Sequence, residues 1–202
     1  MENKDDFIIF KDYLKDKANI SDDELSKITN AASIRKLRKW QTLLNDGDMW
    51  RKMSFISQGC CRLFRYDSKG VDHTVRFGVE SWWMTDLESF NSDRPSLYNI
   101  EALSSSTLLI WSKEDWLRLQ EEIPAFKIFY ECLVSKAFEA TQERVYTLIS
   151  KNPEEKYTKF QNKYPHIFNK VPLHMVASYL GISRETLNRV RRELVKPKKT
   201  SE

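Results

Sequence analysis

The spacing of hydrophobic positions changes twice along this chain. Up to about residue 45 it is helical, and "SDDELSKI" offers Ser21 as an N-cap followed by acids in the first turn. From about Arg38 to Ser112 it breaks into short apolar or alternating runs: "MSFIS", "CRLFRY", "HTVRFGV" and "STLLIWS". Turn signals such as "NDGD" and "DSKG" separate them. Several short strands at this spacing predict a small barrel or jelly roll. "SKEDWLRLQEEIP" then returns to helix, with Ser112 and Asp115 as a capping pair.

Beyond Pro124 neither Pro nor Gly interrupts the chain until after Ser150, which predicts one long helix. Phe126, Phe129, Leu133, Ala137 and Ala140 recur along it at spacings of three and four. That stripe suits either of two roles. It could be a dimer seam, where alanines let a second helix approach, or the face that packs on the chain's own barrel. After Pro153, "PEEKYTKFQNKY" reads as another helix, and Pro165 and Pro172 bracket the approach to the last segment. The organisation is thus α+β. Residues 1–123 form a jelly-roll β-barrel domain with flanking helices, 124–150 a dimerisation helix, and 151–202 a C-terminal helical domain.

The last segment, "LHMVASYLGISRETLNRVRREL", predicts two short helices around Gly181. Leu173 to Leu180 gives the first, with Val176, Ala177 and Leu180 inward. Gly181 can take the positive φ that ends a helix, and Ser183 stands where an N-cap belongs. The second helix runs from Arg184 to about Val195. Ala177 is small where this helix crosses, while Ile182, Leu187 and Val190 fill the angle. These offsets are those of a helix-turn-helix. At 100° per residue, Leu187, Val190 and Leu194 cluster within about 60° and define the buried face. Glu185, Arg189 and Arg192 lie opposite, with Asn188 beside them and Arg184 at the leading end. Arginine can grip guanine O6 and N7, and a glutamate can accept from cytosine N4. The competing reading is a solvated helix with Glu185 capping and Arg189 as its i,i+4 partner.

Charge sharpens this picture. The net +4 is carried by residues 171–202, with seven Lys+Arg against three acids, while the rest of the chain is neutral. A basic end on a neutral body is the footprint of a nucleic-acid binder. Three cysteines, Cys60, Cys61 and Cys132, suit neither a disulfide framework nor a zinc site and read as buried thiols. If Cys60 and Cys61 lie on a strand, they point to opposite faces. No apolar run approaches the roughly 20 residues that span a bilayer, and "MENKDD" is no signal peptide. A cytoplasmic protein without membrane contact is expected. A nucleophile elbow, a phosphate-cradling Gly loop, metal-spaced ligands and a triad are all missing from the pattern, so no enzyme and no cofactor are expected.

"LGISRETLNRVRREL" resembles the recognition helix of the Crp/Fnr (cyclic-AMP receptor and fumarate–nitrate regulator) family of bacterial transcription factors. More weakly, "RKLRKWQTLLNDGD" and "SFISQGCCRLF" resemble the opening strands of that family's effector barrel. The helix after Pro124 is similar to its dimerisation helix. "WWMTDLESF" with "SLYNIEAL" is similar to a barrel variant from Bacteroidetes-type bacteria. The resemblance implies a homodimer on palindromic double-stranded DNA. It implies base contacts from Arg184, Glu185 and Arg189, with Ser183 and Thr186 holding phosphate; Asn188 and Arg192 complete the candidate face. RNA polymerase and a small-molecule effector are further partners it admits. An alternative is a ligand sensor whose helix-turn-helix mainly contacts protein.

The family's cyclic-nucleotide motif is not preserved. Its Gly-Glu pair stands here as Thr85-Asp86, and its Arg-Ser/Thr phosphate pair falls at Ser96-Leu97, with Arg94 out of register before Pro95. A cyclic phosphate would lose its charge-assisted guanidinium contact, so a different effector, or none, is expected. Four cluster-ligating cysteines are lacking. His73 is expected to be structural, not a haem ligand, and His174 to approach phosphate. Trp82, Trp83, Phe90 and Tyr98 are either an effector pocket or barrel core. A β-wing is in question, leaving Lys196, Lys198 and Lys199 as a phosphate-binding tail.

Overall fold

The computed structural model describes residues 4–165, 167 and 171–195. Helices α1 (Ile8–Lys17) and α2 (Asp22–Asn30) come first. Ser21 caps α2 as its sequence requires. Its side chain accepts from the Glu24 N–H at 3.3 Å, and Glu24 accepts from the Ser21 N–H at 2.8 Å. Helical character does not last to residue 45, however, because strands β1 (Ser33–Leu37) and β2 (Thr42–Leu44) intervene. β1 is the edge of its sheet and only Leu37 is buried, so its charged sequence carries no apolar alternation to betray it.

The remaining strands are β3 (Lys52–Gln58), β4 (Cys60–Tyr66), β5 (Asp72–Val79), β6 (Trp82–Trp83), β7 (Asn99–Ala102) and β8 (Ser106–Ser112). They form two four-stranded antiparallel sheets, ordered β1-β8-β3-β6 and β2-β7-β4-β5. Their chain order shuttles between sheets as a jelly roll does. β6 and β7 are too short to show a period, which is why sequence spacing alone misses them. The adjacent thiols behave as a strand demands: Cys61 faces the first core and Cys60 the second. Burial pushes the Cys61 thiol up to about 12, so it stays protonated. Cys132 departs from expectation, being exposed on a helix.

A short helix, α3 (Leu87–Ser92), lies between β6 and β7. α4 (Lys113–Glu122) starts at Ser112, whose Oγ accepts from the Asp115 N–H at 3.0 Å. The predicted long helix is α5 (Pro124–Ser150). Its Phe126, Phe129 and Leu133 pack on the chain's own barrel, against an aromatic cluster of Trp83, Trp111 and Trp116. Over these three residues the stripe has the intrachain role; Ala140, further along it, is exposed. The uncovered apolar residues of α5 are others: Ile128, Phe138, Val145, Tyr146 and Ile149, the last 80% exposed. At 100° per residue they fall within about 100° of one another, opposite Phe126 and Leu133.

Trp83 and Phe90 are buried in the barrel core, Tyr98 packs against that core, and Trp82 packs against a second cluster outside it. α6 (Pro153–Lys163), α7 (Leu173–Leu180) and α8 (Arg184–Val195) gather around a second hydrophobic cluster. That cluster includes Cys60, Phe77 and Leu103 from the outside of the barrel, so the C-terminal helices are docked on sheet β2-β7-β4-β5. Thr74 donates its N–H to Ser178 Oγ at 2.9 Å. From α5, Arg144 donates to the Tyr179 carbonyl at 2.8 Å and lies 3.7 Å from that ring's centre. Among the described residues no helix is long and apolar enough to cross a membrane.

Candidate nucleic-acid interface

The geometry of α7, its turn and α8 follows from local chemistry. Gly181 adopts φ 63°, a left-handed conformation that any side chain would strain, and its N–H closes α7 onto the Ala177 carbonyl. Ile182 N–H follows onto the same carbonyl at 3.1 Å. Ser183 Oγ then accepts from the Thr186 N–H at 3.1 Å, so α8 begins at Arg184 as expected. Leu187 and Val190 anchor α8 at 0% and 4% exposure, against Val176, Ala177 and Leu180 of α7. Leu194 departs from the predicted stripe. It is 41% exposed, because the second cluster offers the last turn of α8 no partner.

With that back fixed, Ser183, Arg184, Glu185, Arg189 and Arg192 are exposed together, and Thr186 and Asn188 partly so. Glu185, Asn188, Arg189 and Arg192 line one shallow groove, which Glu193 joins at the far end; sequence reasoning did not include Glu193. Glu185's own backbone N–H and the Ser183 hydroxyl hold its carboxyl below the usual carboxylate range, with Arg184 adding to the effect. It therefore caps the helix start as the competing reading supposed, but among the described residues it makes no ion pair with Arg189. The fourth arginine, Arg191, turns the other way. It lies against Tyr157 of α6, whose phenol burial pushes up and Arg191 pulls back. His174 is exposed on α7. No strand is described between α6 and α7, and Lys196, Lys198 and Lys199, like His166, lie outside the described residues.

The barrel segment aligned with the nucleotide cassette is bonded to itself. Asp86 caps α3, accepting from the Glu88 and Ser89 N–H groups at 3.0 and 3.3 Å, and its other oxygen accepts from Ser96 Oγ at 2.6 Å. Thr85 Oγ1 accepts from Trp50 Nε1 at 2.7 Å and donates to the Lys52 carbonyl at 2.9 Å. Ser89 Oγ donates to the Arg94 carbonyl at 2.6 Å, and the Arg94 side chain is exposed. His73, on the β4–β5 hairpin, pairs with Asp67 at 2.9 Å.

Residues 34–122 match the family model for the cyclic nucleotide-binding domain. FixK2 from Bradyrhizobium japonicum has the same fold, with TM-score 0.71 at 13% identity over 81% of this chain and 84% of that one. A protein from Eubacterium rectale, described as a transcriptional regulator of the Crp/Fnr family, aligns with TM-score 0.68 at 15% identity, over 95% and 88%. This chain has the Crp/Fnr fold. The Thermus thermophilus catabolite activator protein also shares it, at TM-score 0.57 and 18% identity over 87% and 84%. No curated protein sequence matches. Within the Crp/Fnr fold, the barrel cassette lies mid-chain and the last two helices at its C-terminal end, and the sequence treats them very differently.

Proposed function

We propose that this protein is a sequence-specific, DNA-binding transcription regulator of the Crp/Fnr type, acting as a homodimer on palindromic sites. The observation that supports DNA recognition best is the face of α8. Arg184, Glu185, Asn188, Arg189 and Arg192 are presented outward from a helix whose back is locked by Leu187 and Val190. A recognition helix enters the major groove with such a face, its N-terminal residues on base edges. Ser183 and Thr186 serve phosphate, with their hydroxyls 3.1 Å apart at the helix start.

The dimer is built along α5 through Ile128, Phe138, Val145 and Ile149, with Tyr146 at the rim. Those residues form an apolar surface that the chain itself leaves uncovered, and a two-fold related copy supplies the same surface in return. Residues 124–150 are then the dimerisation helix, joining the barrel domain (1–123) to the DNA-binding domain (151–202). The barrel does not take a cyclic nucleotide in the family's manner, because Asp86 and Ser96 satisfy each other. RNA polymerase is the partner expected on DNA.

The test is Arg189→Ala in a duplex-binding assay. Loss of about 1–3 kcal/mol with relaxed preference at one base pair supports base readout. Equal weakening on every sequence would make Arg189 a phosphate contact. No duplex binding by the purified dimer would favour a protein-contacting role for the helix-turn-helix.

A further inference from the structure

Arg76 plays no part in the account above. On β5 it pairs with Leu63 of β4, a residue of the core enclosed by the two sheets, so its side chain enters the barrel. There it lies by the seam where β5 and β6, the edge strands of the two sheets, come together. One guanidinium nitrogen donates to the Thr85 carbonyl at 3.2 Å and lies 4.0 Å from the Met84 sulfur. Its Nε is shut off from solvent and has no hydrogen-bond partner among the described residues. Asp86, whose charge reaches it, already has both oxygens occupied by Ser96 and the α3 N–H groups.

The same barrel shows what a structural arginine looks like. Arg62, on the neighbouring strand and buried, is bracketed by Glu101 and Asp72, whereas Arg76 is half-buried with its Nε sealed. A guanidinium nitrogen shut off from water without a bonded carboxylate is costly and invites a counter-charge from elsewhere. Space for one is at hand. At Gly78, the next inward position of β5, a Cβ would collide with the Met84 methyl and with Ile56, so Met84 fills the volume beside the guanidinium. Methionine is unbranched and turns about three bonds, so it is the side chain best suited to move aside.

We propose that the barrel binds a small oxyanion, the carboxylate or phosphate group of an effector, on Arg76, with Met84 displaced to admit it. This deepens the sensing half of the proposed function and rests on the barrel alone, so DNA recognition can fail while it stands. Arg76 itself stands on β5, outside the cassette segment, and touches that segment only through the Thr85 carbonyl and the nearby Asp86 charge. The phenols of Tyr164, which ends α6, and Tyr179 on α7 also interact with Arg76 electrostatically. Their hydroxyls lie 3.4 Å apart, so an anion there would be felt by the helices that carry α8.

The arginine Nε–Hε signals of the full-length ¹⁵N-labelled protein test this directly. The Arg76 signal is identified as the one lost in Arg76→Lys. Sodium phosphate and sodium acetate are titrated separately, against sodium chloride at matched ionic strength. The expected result is a saturable shift of the Arg76 signal with at least one anion, and which anion acts distinguishes phosphate from carboxylate. At ten times its dissociation constant that anion should favour the folded state about elevenfold, raising the thermal midpoint of the wild type but not of Arg76→Met. An Arg76 signal unmoved by both anions, with shifts confined to the α8 arginines, would overturn the proposal. So would equal midpoint shifts in wild type and Arg76→Met. Duplex binding, measured on the same samples, reports separately on the DNA reading.

Discussion

Two regions of this molecule use the same side-chain chemistry in opposite ways. In the barrel, Asp86 caps α3, holds Ser96 and turns all its hydrogen-bonding capacity inward. On α8, Ser183 caps the helix in the same manner, yet Arg189 and Arg192 keep theirs facing out. Buried polar groups are satisfied at once because leaving them unpaired costs free energy. Exposed ones can stay available for a partner because water serves them meanwhile. The contrast therefore separates groups that hold the fold from groups held ready for recognition.

The largest effect should come from removing what holds the recognition face in place. Leu187→Ala opens a cavity where the side chain is fully buried, and should cost about 2–5 kcal/mol. Thermal unfolding should show it together with lost duplex binding; a change below about 1 kcal/mol would mean that α8 is not anchored there. Asp86→Ala comes next, at about 1–3 kcal/mol, since it removes the α3 cap and the bond from the buried Ser96 hydroxyl, which keeps only its Tyr98 partners. Denaturant unfolding measures it, and a neutral result would break the contrast from the barrel side. Arg189→Ala should behave inversely, leaving stability within about 0.5 kcal/mol while weakening sequence-selective binding.

The smallest effect concerns pH. The folded-state pKa of Glu185 is depressed by its backbone N–H and Ser183, so its contribution to the start of α8 is present above the unfolded carboxylate value. It is lost as pH falls through the lower, folded value. A carboxyl NMR titration should give a midpoint below that of an unfolded glutamate and return towards it in Ser183→Ala. A normal midpoint in the wild type would remove the cap.

These regions were not equally legible in sequence. The α7–turn–α8 geometry could be read closely because Gly181, Ser183, Leu187 and Val190 each answer a local requirement. Leu194 misled, since a helical wheel shows only which face a residue shares, and burial needs a neighbour. Spacing alone hid β1, because an edge strand needs little apolar alternation and only the resemblance of "RKLRKWQTLLNDGD" marked it, and hid β6, because two residues show no period. The long helix was plain, yet its Phe126–Leu133 stripe proved to be the intrachain face. Periodicity identifies an apolar stripe but not the surface that covers it. The bonds joining the barrel to the C-terminal helices, Thr74 to Ser178 and Arg144 to Tyr179, link residues far apart in the chain and carry no spacing signal. Nothing in the sequence singles out Arg76; its inward direction follows from the pairing with Leu63.

The proposed dimer and the proposed DNA-reading face of α8 are tested together by selecting bound sequences from random duplexes with the purified full-length protein. The account predicts an inverted repeat whose half-sites are centred about one helical turn apart, with binding that falls steeply with salt. Enrichment of a single asymmetric site, or no enrichment at all, would contradict it.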